Sequence, residues 1–190
     1  YWKKYTNDFV FVVNYKKEKI MEYVKKIKGI KSQFVVQKEL NGLADALLTA
    51  EKAAGEKFIV VLGDCICQGD FDFPENMSQG VGVWETDNKS DIRNSYLVKL
   101  ASNQVHKVRE KPKKINGNLC GQGFYFFDKS IFNYIRKLSL AKPGYPVNLT
   151  DVIQSMVDGK EKISPVVFKG DYININTEAE LSRARDIVKT

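Results

Sequence analysis

Lys57-Phe58-Ile59-Val60-Val61-Leu62-Gly63-Asp64 is the stretch that decides how this chain is read. Five apolar residues, Phe58 to Leu62, run unbroken and stop at Gly63-Asp64. A short continuous apolar run bounded by polar and glycine residues predicts a central strand buried on both faces, with a buried helical turn as the alternative. A carboxylate then stands just past its carboxyl end, where open α/β sheets bind their ligands. Burying a carboxylate is costly unless it is paired or holds a metal. Asp64 is therefore a candidate metal ligand, with plain Gly-Asp turn chemistry as the competing explanation.

Upstream, residues 9–13 and 32–37 predict strands. Residues 16–28 predict a helix, with Ile20, Tyr23, Val24 and Ile27 on one face and Gly29 as its stop. A second helix opens at Asn41-Gly42 and turns Leu43, Leu47 and Ala50 to one side. The first third thus reads β-α-β-α-β, the pattern of a parallel sheet with helices on its faces. Downstream, residues 80–85, 96–100, 105–110 and 123–127 predict strands joined by short links, with a hairpin turn at residues 101–104. Residues 71–78 and 87–94 read as loops. Helices follow at 129–138, with Ile131, Phe132 and Ile135 inward, and at 149–157. Short strands are predicted at 163–168 and 172–176. The last helix starts with a capping box at Thr177–Glu180 and faces inward through Leu181, Ala184, Ile187 and Val188.

At 190 residues, with 43% hydrophobic and 28% charged residues, the chain is long enough for one domain, residues 1–190, with a proper core. No apolar run approaches the ~20 residues of a membrane span. Cys65, Cys67 and Cys120 are an odd set, and His106 is the lone histidine, which argues against a zinc centre and for reduced thiols in a cytoplasmic protein. The net charge of +7 favours anionic ligands, although most lysines read as a solvated face. No aromatic-interleaved basic stripe suggests nucleic acid, and no membrane partner is expected. The chain starts at Tyr1-Trp2 without Met and reaches a strand within nine residues, so the expectation is an N-terminally truncated fragment.

Four stretches place polar residues where strands end. Gln37 to Asp45 joins a strand to a helix N-terminus through Gly42, which offers free amides and close backbone approach; an Asn41 N-cap is the alternative. Gly63-Asp64 is the second. In Glu110-Lys111-Pro112 the carboxylate could accept from hydroxyls and the ammonium could meet a phosphate, or the two form a surface charge pair. In Asn174-Ile175-Asn176-Thr177 both amides fall on one face and could ligate a hard cation, or cap the next helix.

Taken in order, Gln37-x4-Gly42-Leu43-Ala44-x-Ala46, Val61-Leu62-Gly63-Asp64, Glu110-Lys111-Pro112, Gly123-Phe124-Tyr125-Phe126-Phe127-Asp128, Leu149-Thr150-Asp151 and Tyr172-x-Asn174-x-Asn176-Thr177 resemble the sugar-1-phosphate nucleotidylyltransferases, with the pattern of glucose-1-phosphate thymidylyltransferase nearest. The resemblance implies a Rossmann-like α/β fold with a mixed, mostly parallel sheet between helices. It implies a reaction joining a sugar 1-phosphate and a nucleoside triphosphate (dTTP, UTP or CTP) into a nucleotide sugar and pyrophosphate, and it is compatible with a homo-oligomer. By the same resemblance Gln37, Gly42 and Leu43 would meet the base. Asp64, Asn174 and Asn176 would hold Mg²⁺. Glu110 would bind sugar hydroxyls and Lys111 the sugar phosphate. Tyr96, Gly121 and Gly123 would line the sugar pocket. The attacking phosphate oxygen is already anionic, so positioning and charge neutralisation suffice without a general base.

Two features depart from that pattern. The glycine-rich triphosphate loop that opens the family is absent from these 190 residues, so this piece is expected not to turn over by itself. Asn174 stands where sugar-specific members usually carry Asp, so Mg²⁺ should bind weakly until nucleotide arrives. A cytidylyltransferase for a non-sugar phosphate such as phosphocholine, and a non-catalytic binding or regulatory domain, are the competing readings.

Overall fold

In the computed structural model, which describes residues 1–189, a short 3-10 turn (Trp2–Lys4) precedes β1 (Asp8–Val13), α1 (Lys17–Val24), β2 (Lys31–Val36), α2 (Leu43–Thr49) and β3 (Lys57–Val61). Then come β4 (Cys65–Asp72), β5 (Gln79–Glu85), α3 (Lys89–Asn94), β6 (Tyr96–Ala101), β7 (Gln104–Glu110) and β8 (Leu119–Asp128). The chain ends with α4 (Ile131–Ala141), α5 (Leu149–Asp158), β9 (Ile163–Asn174) and α6 (Glu178–Lys189). It divides into two compact units, Tyr1–Glu56 with Lys129–Val152, and Lys57–Asp128 with the residues from Ile153 onward.

In the first unit β1 and β2 pair in parallel, from Asp8 opposite Lys31 to Val13 opposite Val36, as the βαβ pattern predicts. Phe11 and Phe34 stack across the pair with ring centroids 5.5 Å apart. The first helix stops at Val24, short of the expected residue 28. Beyond it Lys26 N–H and Ile27 N–H bond to carbonyls three residues back, which tightens the chain into turns. Of the expected apolar face only Val24 is buried, while Ile20 and Tyr23 stay exposed. Helix α4 buries Ile131, Phe132 and Ile135, the three residues that its periodicity selects. Arg136 pairs with Glu51 and Lys129 with Glu56.

The second unit corrects the central-strand expectation. Residues 58–61 of β3 are only half-buried, and β3 pairs with β8 alone, antiparallel. The centre is β8, whose residues from Cys120 to Phe127 are all buried and which also pairs with β5 and β6. The mostly parallel sheet is corrected as well. Among the described residues only β1–β2 and β5–β9 are parallel, and the other five pairings are antiparallel. Of the antiparallel pairings only β6–β7 comes from a short link that turns the chain straight back; the others bring together strands far apart in sequence, which periodicity cannot orient. The predicted hairpin joins β6 to β7, with Ser102 and Asn103 both at positive φ as a primed turn requires.

Three further elements differ from expectation. Strand β4 replaces the start of an expected loop and pairs with β9 from Cys65 opposite Asn174 to Asp72 opposite Val167. Helix α3 fills the end of another, capped by Asn88, whose side chain accepts from Ser90 N–H at 3.0 Å. The two short strands expected at 163–168 and 172–176 are one strand, β9. Phenylalanines of β4, β8 and β9 pack together: Phe71 lies 5.0 Å from Phe168, 5.5 Å from Phe124 and 5.4 Å from Phe126 between ring centroids. Helix α6 opens with the predicted capping box, in which Glu180 N–H donates to Thr177 Oγ1 at 3.2 Å and Thr177 N–H to Glu180 Oε2 at 2.8 Å. Of its expected inward face Ala184 is buried and Val188 is exposed.

Beside β8 the packing leaves no room for a methyl group. A Cβ on Gly121 would stand 1.9 Å from Cζ of the buried Tyr96 ring, whereas one on Gly117 would meet only Leu97 Cδ1, at 3.5 Å. Gly121→Ala should therefore destabilise the protein by about 3 kcal/mol, read as a fall in urea midpoint at unchanged slope, and Gly117→Ala by less than about 0.5 kcal/mol.

Candidate functional site

In the first unit, Gln37, Gly42 and Leu43 stand together where β2 runs into α2. Gln37 is 7% exposed, and its Nε2 donates to Asp45 Oδ2 at 2.9 Å and to the Gly42 carbonyl at 3.3 Å. The side chain thereby ties the loop to the first turn of the helix. Gly42, not Asn41, is the N-cap residue, and its φ of +92° is one that only glycine takes without strain. Asn41 instead donates to Glu39 Oε2 at 3.1 Å. A cavity of about 280 Å³ opens beside this loop, lined by Glu39, Asn41, Asp45, Lys142, Tyr145 and Val147. Asp45, the partner that fixes Gln37, was not singled out by sequence; nothing in residue type marks which acid a buried amide will find.

In the second unit, Leu62-Gly63-Asp64-Cys65 is a turn closed by Cys65 N–H donating to the Leu62 carbonyl at 3.1 Å. Ile175 N–H donates to the Asp64 carbonyl at 2.8 Å, and Cys65 lies opposite Asn174 in the β4–β9 ladder. Asp64 and the Asn174–Asn176 stretch are therefore neighbours, although over a hundred residues separate them in sequence. The Asp64 carboxylate is exposed, and Cys65 Sγ lies 3.6 Å from its Oδ1. Asn174 Oδ1 is buried without a hydrogen-bond partner among the described residues. Asn176 is exposed; its N–H donates to Glu180 Oε2 at 2.7 Å and its Nδ2 to the Asn174 carbonyl at 3.5 Å.

Glu110 and Lys111 end β7 in the same unit. Glu110 lies opposite Tyr96 in the β6–β7 ladder. Lys111 takes a φ of +37° and its N–H donates to the Ser95 carbonyl at 2.8 Å, while Ser95 Oγ donates to the Gly121 carbonyl at 2.7 Å. A non-glycine residue at positive φ is held there by its surroundings, and such strain gathers at functional sites. Tyr96, Gly121 and Gly123 themselves are interior. Tyr96 is 3% exposed and its hydroxyl donates to the Gln122 carbonyl at 3.2 Å. Gly123 makes space for Cys65 Sγ, and its N–H donates to the Tyr172 hydroxyl at 3.1 Å.

The electrostatics tie these groups together. Burial raises the Tyr125 hydroxyl well above its ordinary value, and the Glu110, Cys65 and Asp64 charges push it the same way. Both candidate carboxylates therefore act on one buried phenol, which sequence gave no reason to single out. Burial pushes the Cys65 thiol up to about 12 and the Cys120 thiol up to about 11, and raises Tyr96 and Tyr172. Neither cysteine is a nucleophile at neutral pH.

The donor set suits a hard cation. One exposed carboxylate and one buried amide oxygen are hard ligands, and an acceptor buried without a partner is costly until something satisfies it. Among the described residues no three His, Cys, Asp or Glu side chains form a metal cage. Two protein oxygens, with phosphates and water completing the shell, is the usual arrangement for Mg²⁺.

Residues 2–174 match the nucleotidyl transferase family. The chain is 30% identical over 178 residues to the bifunctional protein GlmU of Methanocaldococcus jannaschii, covering 94% of this chain and 42% of that protein. It is 33% identical over 173 residues to the UTP–glucose-1-phosphate uridylyltransferase AglF of Haloferax volcanii, covering 87% of this chain and 71% of that one. A crystal structure from Bacillus anthracis described as a glucose-1-phosphate thymidylyltransferase superposes with a TM-score of 0.80 at 19% identity, covering 96% of this chain and 76% of that one. The chain thus spans about two fifths of the length of the GlmU protein.

The raised thiols and phenols set a pH limit. Each stays protonated in the folded chain above the pH at which it ionises in the unfolded one. The unfolded state then binds fewer protons, and stability falls as pH rises. Stability should hold up to about pH 8.5, the ordinary thiol value, and drop progressively toward pH 11. Urea midpoints measured across that range should fall less steeply in Cys65→Ala than in the unmodified chain.

Proposed function

The chain belongs to the nucleotidyl transferase family, and on that premise we propose that it serves the joining of a nucleoside triphosphate to a sugar 1-phosphate, giving a nucleotide sugar and pyrophosphate. One observation supports the reading: the Ile175–Asp64 hydrogen bond joins the backbone of the Asp64 turn to the end of β9, where Asn174 carries a buried amide oxygen without a partner among the described residues. In this reading a phosphate oxygen of the sugar 1-phosphate attacks the α-phosphorus of the triphosphate. A P–O bond forms there, and the P–O bond to the departing pyrophosphate breaks.

Asp64 and Asn174, with Asn176 at the rim, would hold Mg²⁺. Bound there, the cation would neutralise charge at the α-phosphate. Lys111 grips the sugar phosphate as a point charge, its strained backbone fixing where the stem begins. Glu110 accepts hydrogen bonds from sugar hydroxyls. Gln37, Gly42 and Leu43 offer the base an edge of fixed backbone beside the first unit's cavity. The buried Tyr96, Gly121 and Gly123 support the sugar pocket from beneath. The neutrality of Asn174 and Asn176 favours one alternative, a non-catalytic domain that binds the same ligands.

Calorimetry on this chain tests the proposal. A nucleotide sugar with Mg²⁺ should bind. Asp64→Asn should weaken that binding at least tenfold, and Glu110→Gln should weaken glucose 1-phosphate without affecting nucleotide. Binding unchanged by Asp64→Asn would remove the metal assignment. Preference for phosphocholine over glucose 1-phosphate would transfer the reading to a cytidylyltransferase for a non-sugar phosphate.

A further inference from the structure

The β6–β7 hairpin has two faces. Tyr96, Val98, Val108 and Glu110 alternate onto the face just described. Leu97, Lys99, Lys107 and Arg109 alternate onto the other, where Leu97 stands opposite Arg109 and Lys99 opposite Lys107. A cavity of about 140 Å³ opens on this second face, lined by those four residues and Asn116. Its floor is Leu97, which is buried in a cluster with Ile92 and Cys120.

Three cations line this cavity and no acid does. Among the described residues none of the three makes an ion pair. Glu110, the nearest acid in sequence, alternates to the opposite face. Like charges directly opposed across a strand pair destabilise it, so the Lys99–Lys107 pairing has a cost in the empty protein. An anion seated among the three would turn that repulsion into attraction, and the Asn116 amide supplies a neutral donor at the rim. The cavity suits one or two phosphate groups and is smaller than the pockets that hold whole nucleotides.

We propose that this face of the hairpin is a binding site for a small phosphate-bearing anion, separate from the site that contains Asp64 and Lys111. Two phosphate groups fit better than one, because the cations spread over two successive cross-strand positions. The inference does not depend on the proposed reaction.

Inorganic pyrophosphate, titrated calorimetrically in EDTA, is the probe. It should bind, and bind more tightly than inorganic phosphate. In the unmodified protein it should raise the melting temperature and shift the amide resonances of Leu97, Lys99, Lys107 and Arg109. Lys107→Gln with Arg109→Gln should weaken pyrophosphate about tenfold. Lys25→Gln with Lys26→Gln, which removes the same charge elsewhere, should leave the affinity unchanged, and so should Lys111→Ala. The proposal is overturned if pyrophosphate does not bind, if both double variants lose affinity equally, or if Lys111→Ala abolishes binding while the hairpin resonances stay still.

Discussion

A single backbone hydrogen bond, Ile175 N–H to the Asp64 carbonyl at 2.8 Å, holds together the part of the second unit on which the proposed site depends. It joins the turn after β3 to the segment that leaves β9, just beyond the last rung of the β4–β9 ladder. Without it, Asp64 would be one more exposed acid on a turn. With it, the backbone of that turn is held against the end of β9, where Asn174 has an amide oxygen without a partner among the described residues. The account of the site follows from that juxtaposition, because a hard cation needs its few protein oxygens held in place before substrate supplies the rest.

The ground beneath the site is rigid for a steric reason. Gly121 and Gly123 let the Tyr96 ring and the Cys65 sulfur press directly on the backbone of β8. Tyr172 closes the arrangement by contacting Cys65 Sγ and accepting from Gly123 N–H. Lys111 connects to the same ground through Ser95, which accepts from its N–H and donates to the Gly121 carbonyl. The backbones at Lys111 and at the turn before Cys65 are thus both referenced to β8. Side chains fixed by packing and second-layer hydrogen bonds are what a reaction governed by positioning requires.

Much of this was legible in the sequence. The helical spacing of Ile131, Phe132 and Ile135 marked a buried face, the Thr177–Glu180 box marked a helix start, and the order of the short motifs marked the family. The failures have physical causes. The apolar run of β3 looked central because hydrophobicity reports burial but not which neighbour provides it; β8 holds that position. Strand β4 was missed because Cys65 to Asp72 carries glycine and acids, although its buried and exposed residues alternate as a one-faced strand should. The stripe on α1 was real in sequence, yet only Val24 found cover. Asp45 and Tyr125 could not be found by pattern, since their roles exist only through partners that the fold delivers.

The central claim is that Asp64 and Asn174 form one cation site. Paramagnetic broadening tests it most directly, with Mn²⁺ added to the isotope-labelled chain in the presence of a nucleoside triphosphate. The account predicts that the amide resonances of Asp64, Cys65, Asn174 and Ile175 broaden first and together. Broadening centred on acids elsewhere, or reaching Asp64 while sparing Asn174, would contradict it.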